Sequence, residues 1–140
     1  MIARNRVHDA MSDRYGDGIY LDNHVNDIQA HHNVVWNVTT GIRLNAPGDG
    51  LLIASNTLWS VSAATATYAV DGGTLTDTRT VNNLSSTGEL LGSDVSSNLV
   101  VSEDCFVDVT AGDFSLTASC EGVDAGEEVD GVTDLSLIHI

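Results

Sequence analysis

The sequence predicts an all-β solenoid, in which short parallel strands stack in successive coils around one shared core. Two different motifs recur with the same period of about 23 residues. Short runs of alternating apolar residues lie between Gly, Asn and Asp turns, and no stretch carries the apolar stripe of a helix of ten residues or more. Because the 140-residue chain is 42% hydrophobic, it is large enough to bury such a core as one domain.

The repeat is strongest in the first half of the chain. Asn-Val-Val-Trp-Asn-Val at residues 33–38 matches Asn-Thr-Leu-Trp-Ser-Val at 56–61, which is 23 residues later. Gly-Ile-Tyr-Leu-Asp at 18–22 matches Gly-Ile-Arg-Leu-Asn at 41–45 with the same period. A looser copy covers residues 2–7, and fainter copies cover 81–84 and 97–100. A coil of this length cannot bury its apolar face alone, so the pattern predicts stacked coils with like residues above like.

Each repeat contains apolar pairs at strand spacing, which predict the core-facing positions. These pairs are Ile19/Leu21, Ile28/Ala30, Val35/Val38, Ile42/Leu44, Leu52/Ala54 and Leu58/Val61. Between the strands, four asparagines are predicted to form a ladder at one turn, where their amides bond from coil to coil and support left-handed backbone. They are Asn5, Asn33, Asn56 and Asn83. The same register stacks Trp36 on Trp59 with His8 one coil earlier, and Ile19 on Ile42.

The pattern I-x-x-N-x-V followed by G-I-x-L resembles the parallel β-helix repeats of the pectate-lyase-like superfamily. The resemblance covers roughly residues 2–61 well and the rest weakly. It implies a right-handed parallel β-helix over residues 1–134. Because the first repeat begins almost at residue 1 without a capping segment, we expect the helix to be truncated at its N-terminus and its upstream coils to be a partner of this segment. The resemblance also implies an extracellular or cell-surface protein that acts on polysaccharide.

The segment that starts at about residue 104 is similar to the segment that closes many bacterial β-helix proteins. The similarity lies in Asp-Phe-Ser-Leu at 113–116 and Val-Asp-Ala-Gly at 123–126, with Cys120 where a proline is usual. By themselves, Cys105 and Cys120 could form one disulfide or remain two buried thiols, and their spacing matches no zinc pattern. Because both fall in the closing segment, the resemblance favours the disulfide. Residues 135–140 fit neither pattern and are expected to be a non-native tail.

The charge of the chain limits the classes of molecule that it is expected to bind. Twenty acidic residues face five arginines, there is no lysine, and the net charge is −15. The dispersed carboxylates indicate a solvated surface, and the absence of lysine also fits a protein adapted to high salt. Nucleic acid is disfavoured because no basic stripe exists, and a polyanionic glycan would need bridging cations. No apolar run is long enough to span a membrane.

The richest polar cluster lies between residues 15 and 32 and is preceded by His8 and Asp9. Its carboxylates and imidazoles could transfer protons at a glycosidic bond, could bind a metal, or could be a polar turn region. The catalytic candidates are Asp22, His24, Asp27 and Arg43. No metal site is assigned because the aspartates lack the spacing of a calcium loop. No cofactor is evident, and calcium is implied by the resemblance alone.

Three aromatic residues are candidates for sugar binding: Tyr20, Trp36 and Trp59. Packing within the fold is the alternative for the two tryptophans, and a cation–π contact with Arg43 is the alternative for Tyr20. The resemblance implies a polysaccharide lyase or a glycoside hydrolase. The competing hypothesis is a non-enzymatic surface or stalk module, which the acidic surface without a basic groove favours.

Overall fold

The computed structural model describes residues 1–88 and 90–132, which form β-strands and turns with one 3₁₀ turn at Glu103–Cys105. The predicted non-native tail at 135–140 lies outside the described residues. The strands are short because apolar alternation is interrupted by polar turn residues every few positions. Their bounds are β1 Ile2–Ala3, β2 Arg6–Ala10, β3 Asp17–Leu21, β4 Val25–Asn26, β5 Gln29–His31, β6 Val34–Leu44, β7 Gly48–Asp49, β8 Leu52–Ala54, β9 Thr57–Ala66, β10 Leu75–Thr76, β11 Arg79–Val81, β12 Leu84–Ser85, β13 Asp94–Ser96, β14 Leu99–Val100, β15 Phe106–Asp108 and β16 Asp113–Leu116.

Three parallel sheets hold fourteen of these strands. The first sheet has the order β1-β5-β8-β11-β13, and the third has the order β10-β7-β4. The second has the order β14-β12-β9-β6-β2, with β3 also paired to β6. The chain therefore passes from the first sheet to the second and third and then starts again, and we call each such passage a round. The prediction of an all-β chain with parallel sheets is confirmed.

Successive rounds stack like residues on like residues. In the second sheet His8 pairs with Trp36, which pairs in turn with Trp59, and Ile19 pairs with Ile42. The period itself is less regular than 23 residues, since the ladder asparagines are separated by 28, 23, 27 and finally 15 residues. The turns absorb these differences, because a strand shifted by one residue would turn its apolar side chains away from the core.

The core lies between the three sheets. Val35, Ile42 and Leu58 from the second sheet meet Ile53 from the first, and none of them is exposed to solvent. Val25, which belongs to the third sheet, packs against this cluster. Burial of these side chains from every round supplies the main driving force for stacking, at about 25 cal/mol per Å² of apolar surface.

One turn between the first and second sheets carries a continuous row of asparagine side chains, of which Asn33, Asn56 and Asn83 are buried. Asn5 donates from its backbone N and its Nδ2 to Asn33 Oδ1, at 3.0 and 2.9 Å. The same pair of bonds joins Asn33 to Asn56, Asn56 to Asn83, and Asn83 to Asn98. The row therefore extends one residue beyond the predicted four.

The left-handed backbone at this turn lies on the residue before each ladder asparagine. These residues are Arg4, His32, Ser55, Asn82 and Ser97, with φ between 51° and 58°. The physical reason is that the ladder asparagine must turn its amide inward to bond along the row, and the preceding residue makes the tight bend that allows this.

In the described part of the C-terminal segment, a hairpin packs against the side of the second sheet and no further parallel strand is added. β15 and β16 pair only with each other, as an antiparallel hairpin. Phe106 contacts Trp59 and Phe114 contacts Trp36, in each case with ring centroids 5.2 Å apart. Cys105 and Cys120 form a disulfide across the base of the hairpin.

Beyond the hairpin, the chain lies against the first sheet. Glu127 accepts a hydrogen bond from Arg79 Nη2 at 3.0 Å, and its backbone exchanges two bonds with the side chain of Asn82. Val129 packs on Ala54 and Val81. Across the described residues, no helix is long and apolar enough to cross a membrane.

Candidate functional site

A row of residues with left-handed backbone conformation bends the strands of the second sheet. Asp9, Asn37 and Ser60 follow the aromatic row of His8 and the two tryptophans, and their φ angles are 60°, 54° and 51°. Short polar side chains are favoured here because they tolerate this backbone better than branched or bulky ones. The bend places the hydrogen-bonding side chains of these three residues, one from each of three successive rounds, next to one another.

These residues line an open cleft of about 630 Å³ between the second sheet and the tip of the C-terminal hairpin. Volumes of this size accommodate small ligands. The lining residues are Arg6, His8, Asp9, Trp36, Asn37, Trp59, Ser60, Val109, Thr110, Ala111 and Gly112. Arg6 holds the hairpin tip in place, since its Nη2 donates to the carbonyl oxygen of Gly112.

The polar centre of the cleft is a carboxylate–imidazole pair. His8 Nδ1 lies 2.8 Å from Asp9 Oδ2, and Asn37 Nδ2 donates to Asp9 Oδ1 at 2.5 Å. The hydrogen bond from Asn37, and then that from His8, lower the pKa of Asp9, which is therefore a carboxylate at neutral pH. An ionised Asp9 accepts from Nδ1–H, so Nε2 is the His8 nitrogen that can exchange a proton with a ligand.

The two tryptophans border the cleft while packing against the fold. His8 stacks on Trp36 with ring centroids 4.1 Å apart and planes 15° apart, and the guanidinium of Arg6 lies 5.1 Å from the Trp36 ring centroid. With Phe114 also against Trp36 and Phe106 against Trp59, both indoles are half-buried. They shape one side of the cleft, and little of their ring surface remains for stacking a sugar.

The predicted catalytic residues lie outside this cleft, and of the four, His24 and Asp22 interact electrostatically. Asp22 belongs to a separate cluster, where Tyr20 Oη donates to Asp22 Oδ1 at 3.1 Å and Asn45 Nδ2 donates to Tyr20 Oη at 2.7 Å. The backbone N–H of Asn23, followed by the amide of Asn45, lowers the pKa of Asp22. Desolvation, followed by the hydrogen bond to Asp22, raises the pKa of Tyr20.

Arg43 pairs with Tyr20 in the strand register, but its guanidinium is engaged elsewhere. Nε donates to Asp17 Oδ2 at 2.8 Å, and Nη2 donates to Thr40 Oγ1 at 3.2 Å. The hydrogen bond to Asp17 raises the pKa of Arg43. Because an ion pair with a largely buried carboxylate is stronger than a contact with an exposed ring, Asp17 rather than Tyr20 holds this arginine.

His24 and Asp27 are exposed turn residues with φ of 65° and 54°. Asp27 stacks beside Gly50 of the next round, where a Cβ on that glycine would lie 2.8 Å from Asp27 Oδ1. Both positions match the interpretation of a polar turn region. Within residues 1–88 and 90–132, no group of three or more His, Cys, Asp or Glu side chains is arranged to hold a metal ion.

Sequence reasoning placed His8 and Asp9 only at the border of a polar cluster and did not select Asn37 or Ser60 for a site. A signal for them was present, because in three repeats an aromatic ring is followed at once by a short polar residue. The contribution of the hairpin tip had no such signal. Comparison of the chain with protein-family models, with curated proteins and with solved structures finds no match.

Proposed function

We propose that the three sheets are the sides of a right-handed parallel β-helix and that this chain belongs to a protein that acts on a polysaccharide. The repeated passage through three parallel sheets around one core supports the helix. The right hand follows from the general rule that about 98% of connections between parallel strands of one sheet are right-handed.

The observation that carries the function is the cleft in which Asp9, Asn37 and Ser60 present polar groups from three successive rounds. Adjacent strands are spaced by about 4.8 Å, so these groups recur along the stack at a distance comparable to one sugar ring. A polysaccharide that lies along the stack would meet a carboxylate, an amide and a hydroxyl in turn. The net charge of −15 favours a neutral or cationic glycan.

In this proposal His8 Nε2 donates its proton to the glycosidic oxygen as the bond from that oxygen to the anomeric carbon breaks. A water molecule adds to the anomeric carbon, the proton that it loses returns to the imidazole, and Asp9 orients that ring. Hydrolysis by a pair of carboxylates is disfavoured, because Asp9 is the one carboxylate among the described residues that line the cleft. An extracellular location is also part of the proposal. The Cys105–Cys120 disulfide supports it, since such bonds persist in oxidising compartments.

The test is to incubate the protein with a panel of polysaccharides and to measure new reducing ends and the absorbance of unsaturated products. His8→Gln is expected to abolish turnover while it keeps binding, and Asp9→Asn is expected to lower turnover about 100-fold or more. Asp13→Asn is the matched control, because Asp13 is exposed and outside the cleft. Full activity of His8→Gln would overturn the proton-transfer role, and absence of both activity and binding would overturn the function.

The second candidate is a non-enzymatic stalk or surface module. It is favoured by the asparagine row, which ties five successive rounds together through hydrogen bonds that are buried in the middle of the row, and makes the stack rigid. Glycan binding without turnover, unaffected by His8→Gln, would support this module over an enzyme.

A further inference from the structure

We propose a second binding surface for a neutral polysaccharide, distinct from the cleft and formed by Tyr20, Asp22, Asn45 and Tyr68. We call these four residues the tyrosine surface. Its role is to hold the glycan without reacting with it. The inference has its own observations and does not depend on the activity proposed for the cleft.

The tyrosine surface is organised by one buried side chain. Asn45 is 6% exposed. Its Nδ2 donates to Tyr20 Oη at 2.7 Å and to Asp22 Oδ1 at 3.3 Å, and its Oδ1 accepts from the backbone N of Tyr68 at 3.1 Å. Asp22, Asn45 and Tyr68 are separated by steps of 23 residues, so one amide links residues of three successive rounds.

Both tyrosine rings remain accessible. Tyr20 is 49% exposed and Tyr68 is 66% exposed, although aromatic rings are usually buried when the fold offers them a partner. The hydroxyl of Tyr20 is held between Asn45 and Asp22, so this ring loses little conformational freedom when a ligand packs on it. Tyrosine offers a rigid amphipathic surface at low entropic cost, which suits the apolar face of a pyranose ring.

The polar groups around the rings select the class of glycan. Asp22 is ionised and exposed, so it can accept hydrogen bonds from sugar hydroxyls in addition to those from Tyr20 and Asn45. Arg43, which acts electrostatically on Tyr20, is neutralised by Asp17, and the charge of His24 acts on Asp22. With a carboxylate beside the rings and no arginine or lysine among the four residues of the tyrosine surface, a neutral chain of sugars fits and a uronic acid polymer is repelled.

The experiment is affinity electrophoresis of the whole chain through gels that contain galactomannan, xylan or hydroxyethyl cellulose, with alginate as the anionic probe. A neutral polymer is expected to retard the protein. Tyr68→Ala and Tyr20→Ala should each weaken binding by about tenfold, the magnitude of one lost aromatic contact. Val107→Ala is the control, because Val107 is also exposed, at 58%, but lies on the hairpin.

Two spectroscopic readouts separate the tyrosine surface from the cleft. Both tryptophans of the chain line the cleft, and two of its three tyrosines belong to the tyrosine surface. Binding at the tyrosine surface should protect Tyr20 and Tyr68 from nitration, detected by mass spectrometry, and leave tryptophan fluorescence unchanged. These results are expected even in His8→Gln, so failure of the catalytic proposal would not remove them.

Three outcomes would overturn the inference. One is equal retardation of the wild type, Tyr68→Ala and Tyr20→Ala. Another is retardation by alginate alone. The third is self-association of the chain, measured by sedimentation and lost in Tyr68→Ala, which would assign the exposed rings to a protein interface. Circular dichroism of each variant checks that the strands are retained.

Discussion

Replacing Asn56 by alanine should destabilise the fold far more than the same change at the first asparagine of the row. The Asn56 side chain is fully buried and makes four hydrogen bonds, two from Asn33 to its Oδ1 and two from its Nδ2 to Ala30 O and Asn83 Oδ1. At roughly 1 kcal/mol for each net bond, Asn56→Ala should lower the free energy of unfolding by about 4 kcal/mol. The free energy of unfolding of a typical domain is about 5–15 kcal/mol, so this loss is a large part of it.

Asn5→Ala is the matched control for this prediction. The Asn5 side chain is exposed and donates two bonds, to Ala3 O and Asn33 Oδ1, so its removal should cost less than about 1 kcal/mol. Urea unfolding of both variants, followed by the fluorescence of the buried edges of Trp36 and Trp59, gives the difference. Equal midpoints for Asn56→Ala and Asn5→Ala would refute the conclusion that the row stabilises the stack through its buried members.

Three further predictions address the hairpin, pH and salt. Cys105→Ser combined with Cys120→Ser opens a loop of 15 residues and should lower stability by about 3 kcal/mol, seen as a lower urea midpoint and faster quenching of tryptophan fluorescence by acrylamide. Burial, followed by the charges of Arg4 and the N-terminus, lowers the pKa of His31 in the folded chain, so the unfolded chain takes up a proton on His31 at higher pH than the folded chain does. The free energy of unfolding should therefore fall as pH drops below about 6.5. Unfolding measured against pH should lose this slope in His31→Gln. Because 15 net negative charges repel one another, Tm measured by calorimetry should rise between low and molar salt, and a Tm indifferent to salt would exclude salt adaptation.

The position of the hairpin determines the shape of the proposed cleft. The turn at 109–112 forms one side of the cleft, and its position depends on the disulfide at the hairpin base and on the bond from Arg6 to Gly112. Loss of the disulfide should therefore weaken a cleft ligand while it leaves binding at the tyrosine surface unchanged. The two proposed sites can be separated by this one pair of substitutions.

The strands and their register were the features that local sequence predicted well. Alternation of apolar residues is a property of a few neighbouring positions, and it identified core residues such as Val35, Ile42 and Leu58. The repeated motifs identified which residues stack, as in the pairing of Trp36 with Trp59. Both signals arise because each round must present the same side chains to the same neighbours.

The candidate site could not be predicted from local sequence patterns in the same way. The cleft requires the hairpin to fold back across rounds formed much earlier, and the bond between Arg6 and Gly112 joins residues 106 positions apart. The engagement of Arg43 by Asp17 and the link from Asn45 to Tyr68 likewise depend on which side chains the bends of the strands bring together.

By itself, then, the sequence determined the strand pattern, the stacking of like residues and the row of asparagines, because these follow from periodic local chemistry. Tertiary structure alone decided that the hairpin packs on the tryptophans, that His8 and Asp9 border a cleft, and that two tyrosines stay exposed on a shared support. Each of these contacts occurs once in the molecule and joins segments that are distant along the chain. No repeated motif in the sequence therefore predicts them.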